Sequence, residues 1–167
     1  MNRRTALKSL AAVGSVPLAG CAAIRGAGQS GTVLGKITVV NSSLVPNRIR
    51  LLVVRDETDL LDRTLSLPAI DAANGTPGTV IAPSWPETQG EYTIHAHHIE
   101  ESGERESTSW EYTFTQDDYD RYYGDSHEDP GCLGAVVTVG SLNESANPAI
   151  GISPTYMETP CGTPESR

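Results

Sequence analysis

The chain reads as an all-β protein, an antiparallel β-sandwich of about seven to eight strands preceded by a signal peptide and a flexible tether. Three observations predict this. Apolar residues recur with a period of two, as in Tyr92, Ile94 and Ala96 or Ala135, Val137 and Val139. Gly, Pro, Asn and Asp cluster between the apolar runs, where turns need them. No stretch carries the 3.6-residue period of a long amphipathic helix.

The candidate strands follow in order. Ile37 and Val39 alternate with Lys36, Thr38 and Val40, and Ile49 to Arg55 is an apolar, β-branched run. Leu60 to Leu67 is a further strand, and Thr79 to Ala82 is a short apolar piece before a proline. Glu91 to Ile99 alternates, with Tyr92, Ile94 and Ala96 on one face. Trp110, Tyr112 and Phe114 share a face opposite Glu111 and Thr113. Trp110 is therefore expected in the core, and Trp85, in a loop between Ser84 and Pro86, is the better exposed aromatic. Ala135, Val137 and Val139 continue the pattern, and Ile150 with Ile152 gives a last strand. Gln116 to Gly131 breaks the alternation and reads as a single helical turn or a long loop.

The stretch Glu87-Thr88-Gln89-Gly90-Glu91-Tyr92, followed by an alternating strand, resembles the penultimate hairpin of immunoglobulin-like and transthyretin-like domains. In those domains a Gly-x-Tyr turn enters a core strand. The resemblance covers only these residues, and it implies an immunoglobulin-like sandwich rather than a barrel. A cupredoxin-like sandwich is the nearest alternative.

The amino terminus carries a different signal. Arg3-Arg4-Thr5-Ala6-Leu7-Lys8 resembles the twin-arginine export motif, with Ala6 where a bulky Phe is usual. The apolar stretch from Ser9 to Ala19 is too short to span about 30 Å of hydrocarbon. It ends in Leu18-Ala19-Gly20-Cys21, which resembles the lipobox of bacterial and archaeal lipoproteins. The resemblance implies cleavage before Cys21 and a lipid thioether on its sulfur. It also implies a chain attached to the outer face of the cell membrane. Ala22 to Thr32, rich in Gly, Ala and Ser, reads as a tether with a reach of roughly 18 Å. The expected organisation is a signal peptide over 1–20, a lipidated Cys and tether over 21–32, a sandwich over 33–161 and a tail over 162–167.

The 167 residues carry a formal charge of −9. The first twenty hold Arg3, Arg4 and Lys8 and no acid, so their removal takes the balance to −12. Such a charge argues against nucleic acid or a bare anionic lipid surface as partner. Lysine occurs only at positions 8 and 36. An Asp- and Glu-rich, Lys-poor composition resembles proteins of halophilic archaea, whose concentrated salt screens acidic repulsion.

With Cys21 assigned to lipid, Cys132 and Cys161 remain. An even pair outside the cell favours a disulfide, with free thiols or metal ligation as alternatives. His95 and His97, two residues apart on one strand face, have a spacing suited to a divalent metal, with His127 as a third ligand. A solvated polar face is the alternative. His98 points the other way, with the apolar set. Asp117, Asp118 and Asp120 form a calcium candidate that does not follow the EF-hand spacing. Asn41, Asn74 and Asn143 begin N-glycosylation sequons.

No nucleophile elbow, phosphate-binding glycine loop, zinc-protease helix or dinucleotide fingerprint is present. The reading is therefore a non-enzymatic surface lipoprotein that requires no cofactor. It would bind a protein or glycan partner or take part in the cell envelope. The alternatives are a ligand- or metal-binding lipoprotein using the His95/His97 face and an accessory domain of an extracellular enzyme system.

Overall fold

A computed structural model describes residues 31–71, 77–100, 106–125, 129–142 and 148–162, the side chains of residues 106 and 107 aside. The eight strands are β1 (Leu34–Asn41), β2 (Asn47–Arg55), β3 (Thr58–Leu67), β4 (Gly78–Ile81), β5 (Tyr92–Ile99), β6 (Glu106–Phe114), β7 (Leu133–Val139) and β8 (Ile150–Thr155). Among the described residues one helix, α1 (Gln116–Tyr123), lies between β6 and β7. One sheet has the order β4-β1-β7-β8 and the other β3-β2-β5-β6. The result is an all-β sandwich, and the strands fall on the alternating segments.

The core is the set of inward residues from both sheets. Ile37, Val39, Ile49, Leu51, Val53, Tyr92, Ile94, Phe114, Leu133 and Val137 are fully buried. Period-two alternation puts each of them on the same side of its strand. Tyr92 opens β5 as the Gly-x-Tyr stretch leads one to expect, and its hydroxyl donates to Thr88 O at 2.8 Å. Its ring is buried while its polar tip is satisfied. The strand it enters is not the penultimate one; it lies inside its sheet, between β2 and β6.

One pairing departs from the antiparallel expectation. β1 and β7 run parallel, with Ile37 to Asn41 beside Ala135 to Val139. Alternation reports which face is apolar, not the direction of a neighbour, so the sequence pattern carries no trace of this. The pairing has a bulge between Leu34 and Ile37. Trp85 is buried there rather than exposed, and its indole Nε1 donates to Leu34 O at 2.8 Å.

The expectation for Trp110 also fails. It lies opposite Ala96 on the core side of β6, yet it is 53% exposed. Phe114 on the same side is buried and Tyr112 is partly buried. β6 is an edge strand of nine residues, and β8, which packs against it, has six. The sandwich therefore runs out of cover before Trp110 is reached.

Helix α1 replaces the expected single turn or loop. Thr115 caps it and Asp118 completes the capping box, each side chain bonded to the other residue's backbone. Tyr119, Tyr122 and Tyr123 form a stripe that pins neighbouring segments. The Tyr122 hydroxyl donates to Pro154 O at 3.1 Å, and the Tyr123 hydroxyl to Met157 O at 2.9 Å.

Cys132 and Cys161 form a disulfide. It holds the segment after β8 across the start of β1, where the Lys36 backbone N–H donates to Pro160 O at 2.7 Å. A Cβ at Gly35 would lie 2.3 Å from that carbonyl, so the crossing requires glycine.

At the other end of β1 is a buried polar knot. Asn41 Nδ2 donates to Val45 O at 2.8 Å and Pro68 O at 2.9 Å. Its Oδ1 accepts from the Ser43 N–H, the Ser43 hydroxyl and Asn47 Nδ2 at 2.9–3.0 Å. One amide thus ties β1, the turn into β2 and the end of β3. Asn41→Ala would leave several buried groups unpaired and should cost about 3 kcal/mol, read as a lower urea midpoint with an unchanged slope. A loss under about 0.5 kcal/mol would mean that water replaces the amide at no cost.

Candidate functional site

The candidate site lies on the outer face of the β3-β2-β5-β6 sheet. Alternation turns Thr93, His95 and His97 away from the core while Tyr92, Ile94 and Ala96 face it. Register then decides the neighbours. His95 sits between Leu52 and Glu111, and His97 between Arg50 and Ser109. His95 Nδ1 and Glu111 Oε2 are 3.2 Å apart. Arg50 grips Asp62 with two nearly parallel bonds of 2.8 and 2.7 Å. The guanidinium's hydrogen bonds hold the exposed Asp62 carboxyl below the usual carboxylate range. Between the two histidines, Ser109, Trp110 and Glu111 lies a shallow hollow of about 280 Å³.

The other sequence-predicted residues do not join this set. His127, Asn74 and Asn143, with Arg3, Arg4 and Cys21, lie outside the described residues. Asp117, Asp118 and Asp120 do not converge on a cation position. Asp118 spends both oxygens on the helix cap and on the Tyr112 hydroxyl, and Asp120 accepts from Gln116. Their spacing serves α1 and supplies no calcium cage. Asn41 is fully buried with both ends of its amide bonded, so it is no glycan acceptor in the folded domain. Among the described residues the one set of three or more convergent donors is Glu87, Cys132 and Cys161. Its two sulfurs are bonded to each other and ligate nothing.

A larger feature escaped sequence reasoning. A cleft of about 840 Å³ opens at the end of the sandwich that carries the Asn41 knot. Pro46, Asn47 and Arg48 line one side, Ser66, Leu67 and Pro68 another, and His98 and Ile99 the third. Leu44, Val45 and Ile70, all more than 40% exposed, stand on the loops at this same pole. The signal available in the sequence was the concentration of apolar residues in two turns, Leu44-Val45-Pro46 and Leu67-Pro68-Ala69-Ile70, where polar residues are usual.

Two tyrosines elsewhere have hydroxyls pushed up to about 12. Burial raises Tyr112 and Tyr119 first, and hydrogen bonds to Asp118 and Asp129 add to the shift. Each hydroxyl is spent on a carboxylate, Tyr112 on Asp118 of the helix cap and Tyr119 on Asp129.

No protein-family model matches the chain, and no curated protein matches it in sequence. No helix among the described residues is long and apolar enough to cross a membrane.

Partial burial at the cleft lowers the affinity of His98 for a proton. A histidine with a depressed folded value contributes stability that is complete above its unfolded value of 6.5 and is lost as pH falls below it. The urea midpoint should therefore drop on acidification from pH 7 towards 5, and His98→Gln should remove part of that drop. An identical pH profile in the variant would show that His98 is as easily protonated folded as unfolded.

Proposed function

We propose that this chain is a lipid-anchored cell-surface lipoprotein. Its β-sandwich is a non-enzymatic binding module that meets a protein partner at the pole away from the membrane. The observation that carries the reading is the position of the apolar pole. β1 starts at Leu34, just after the segment read from the sequence as a tether, and ends at Asn41. The seven steps of strand between the two ends span about 23 Å. Lipid on Cys21 would hold the first end near the bilayer and turn Leu44, Val45, Ile70 and the cleft outward. Exposed apolar side chains grouped beside a concavity are the surface that a protein partner covers. The Asn41 knot fixes the loops that present them, which lowers the ordering cost of association.

The twin-arginine resemblance fits this reading, since that route carries folded cargo. A domain whose strands and tail are tied across the whole sequence can be exported only folded or wholly unfolded. The acidic surface keeps the module soluble in salt and away from anionic lipid headgroups.

Two experiments test the reading. Replacing Arg3 and Arg4 with Lys should hold the protein in the cytoplasm, seen by fractionation; undiminished surface display would remove the twin-arginine assignment. A photo-crosslinking residue at position 44, introduced on intact cells, should give one defined adduct. The same residue at position 63, on the edge strand β3, should give none. Equal adducts from both positions, or none from position 44, would contradict a partner at the distal pole.

A further inference from the structure

We infer that His95, His97 and Glu111 form a surface site for a divalent transition metal, copper in preference to zinc. The two imidazoles are the ligands and Glu111 is the positioning residue. The inference is independent of the partner-binding pole, because the site lies on the flat outer face of the sheet.

The argument starts from the backbone. β5 is bonded on both sides, to β2 and to β6, over its whole length from Tyr92 to His97. The Cβ atoms of His95 and His97 are therefore fixed on one face, about 6.8 Å apart along the strand. Imidazoles based at that separation can lean together until one nitrogen of each lies about 2.0 Å from a shared ion. Little ordering cost remains, because the strand cannot move and only side-chain torsions are set.

The second step is the orientation of His95. Its Nδ1 lies 3.2 Å from a Glu111 carboxylate oxygen. That contact uses one ring nitrogen and leaves Nε2 as the ligand atom. A ligating histidine whose other nitrogen bonds a carboxylate is the usual outer arrangement of a metal site, and it raises the basicity of the ligand. Glu111 is held directly opposite His95 by strand register, so the pairing follows from the fold. His97 lines the same hollow of about 280 Å³, with the Ser109 and Trp110 segment as its wall.

Charge supports a cation at the imidazoles. Register places the Glu111 carboxylate beside His95, at 3.2 Å from its Nδ1, while the neighbouring Arg50 bonds Asp62. An ion shared by the two imidazoles would lie close to that carboxylate, which attracts a cation. Two imidazoles with water in the remaining positions make a nitrogen- and oxygen-rich site open to solvent. Such a donor set binds copper(II) most tightly among the divalent first-row ions, with zinc weaker. A third protein ligand is not required for affinity in the micromolar range.

Isothermal titration of the untagged full-length protein in detergent with copper(II) chloride should show one equivalent bound, and with zinc chloride a Kd at least about tenfold higher. His95→Gln and His97→Gln should each weaken copper binding about tenfold or more, and Glu111→Gln about tenfold. His98→Gln, on the opposite face of β5, should leave it unchanged. Copper EPR should show coupling to two imidazole nitrogens in the parent chain and to one in each ligand variant. Metal-free melting curves that overlay for all variants would establish that folding is intact. Absence of binding in the parent chain, or unchanged affinity in the His95, His97 or Glu111 variant, would overturn the site.

Discussion

The parallel pairing of β1 with β7 is the constraint on which the rest of the structure depends. The two strands are separated by about a hundred residues, and every other strand except β8 is laid down between them. The pair forms the middle of one sheet and joins its β4-β1 half to its β7-β8 half. Closing so long a loop carries a large entropic cost, which only the fully buried contacts of Ile37, Val39, Ala135 and Val137 offset. The disulfide reinforces this closure from the other side. Cys132 lies next to β7 and Cys161 lies in the segment crossing β1, so the bond fixes both partners of the pair. In the chain-entropy account a loop of 29 residues contributes about 3.6 kcal/mol.

The same strand organises the two ends of the molecule. Its start is crowded by Pro160, Trp85 and the disulfide, and its end by the Asn41 knot. These ends are chemically different. One is built from backbone crossings, where Pro160 meets Lys36 and Trp85 meets Leu34. The other exposes Leu44, Val45 and Ile70 around a cleft. The flat outer face between them holds ion pairs and the histidine pair. A sandwich with two unlike poles and one polar face has a direction, and direction is what an anchored module needs. The proposed function rests on that asymmetry together with the amino-terminal motifs.

Much of the fold was legible in the sequence, because alternation depends on residue type alone. The pattern at Tyr92, Ile94 and Ala96 places His95 and His97 outward without any structure, and setting Cys21 aside as the expected lipid site left Cys132 and Cys161 as a pair. What was illegible depended on long-range partners. Trp85 and Trp110 exchanged their expected roles because burial there depends on a bulged carbonyl and on the length of a facing strand. Asn41 reads as a sequon, yet its amide is consumed by Ser43, Val45 and Asn47 in the following turn and by the Pro68 carbonyl, 27 residues away. The acidic segment hid a helix whose signals were the Thr115–Asp118 capping box and the spacing of Tyr119, Tyr122 and Tyr123. Glu111 joined the histidines only through register, which no local pattern reports.

The central claim is that the domain is held at one pole by lipid on Cys21. Mass spectrometry of the amino-terminal peptide of the membrane-extracted protein tests it most directly. The account predicts a peptide that begins at Cys21 and carries the added mass of a thioether-linked lipid. A peptide that begins elsewhere, or one in which Cys21 carries a free thiol, would contradict it.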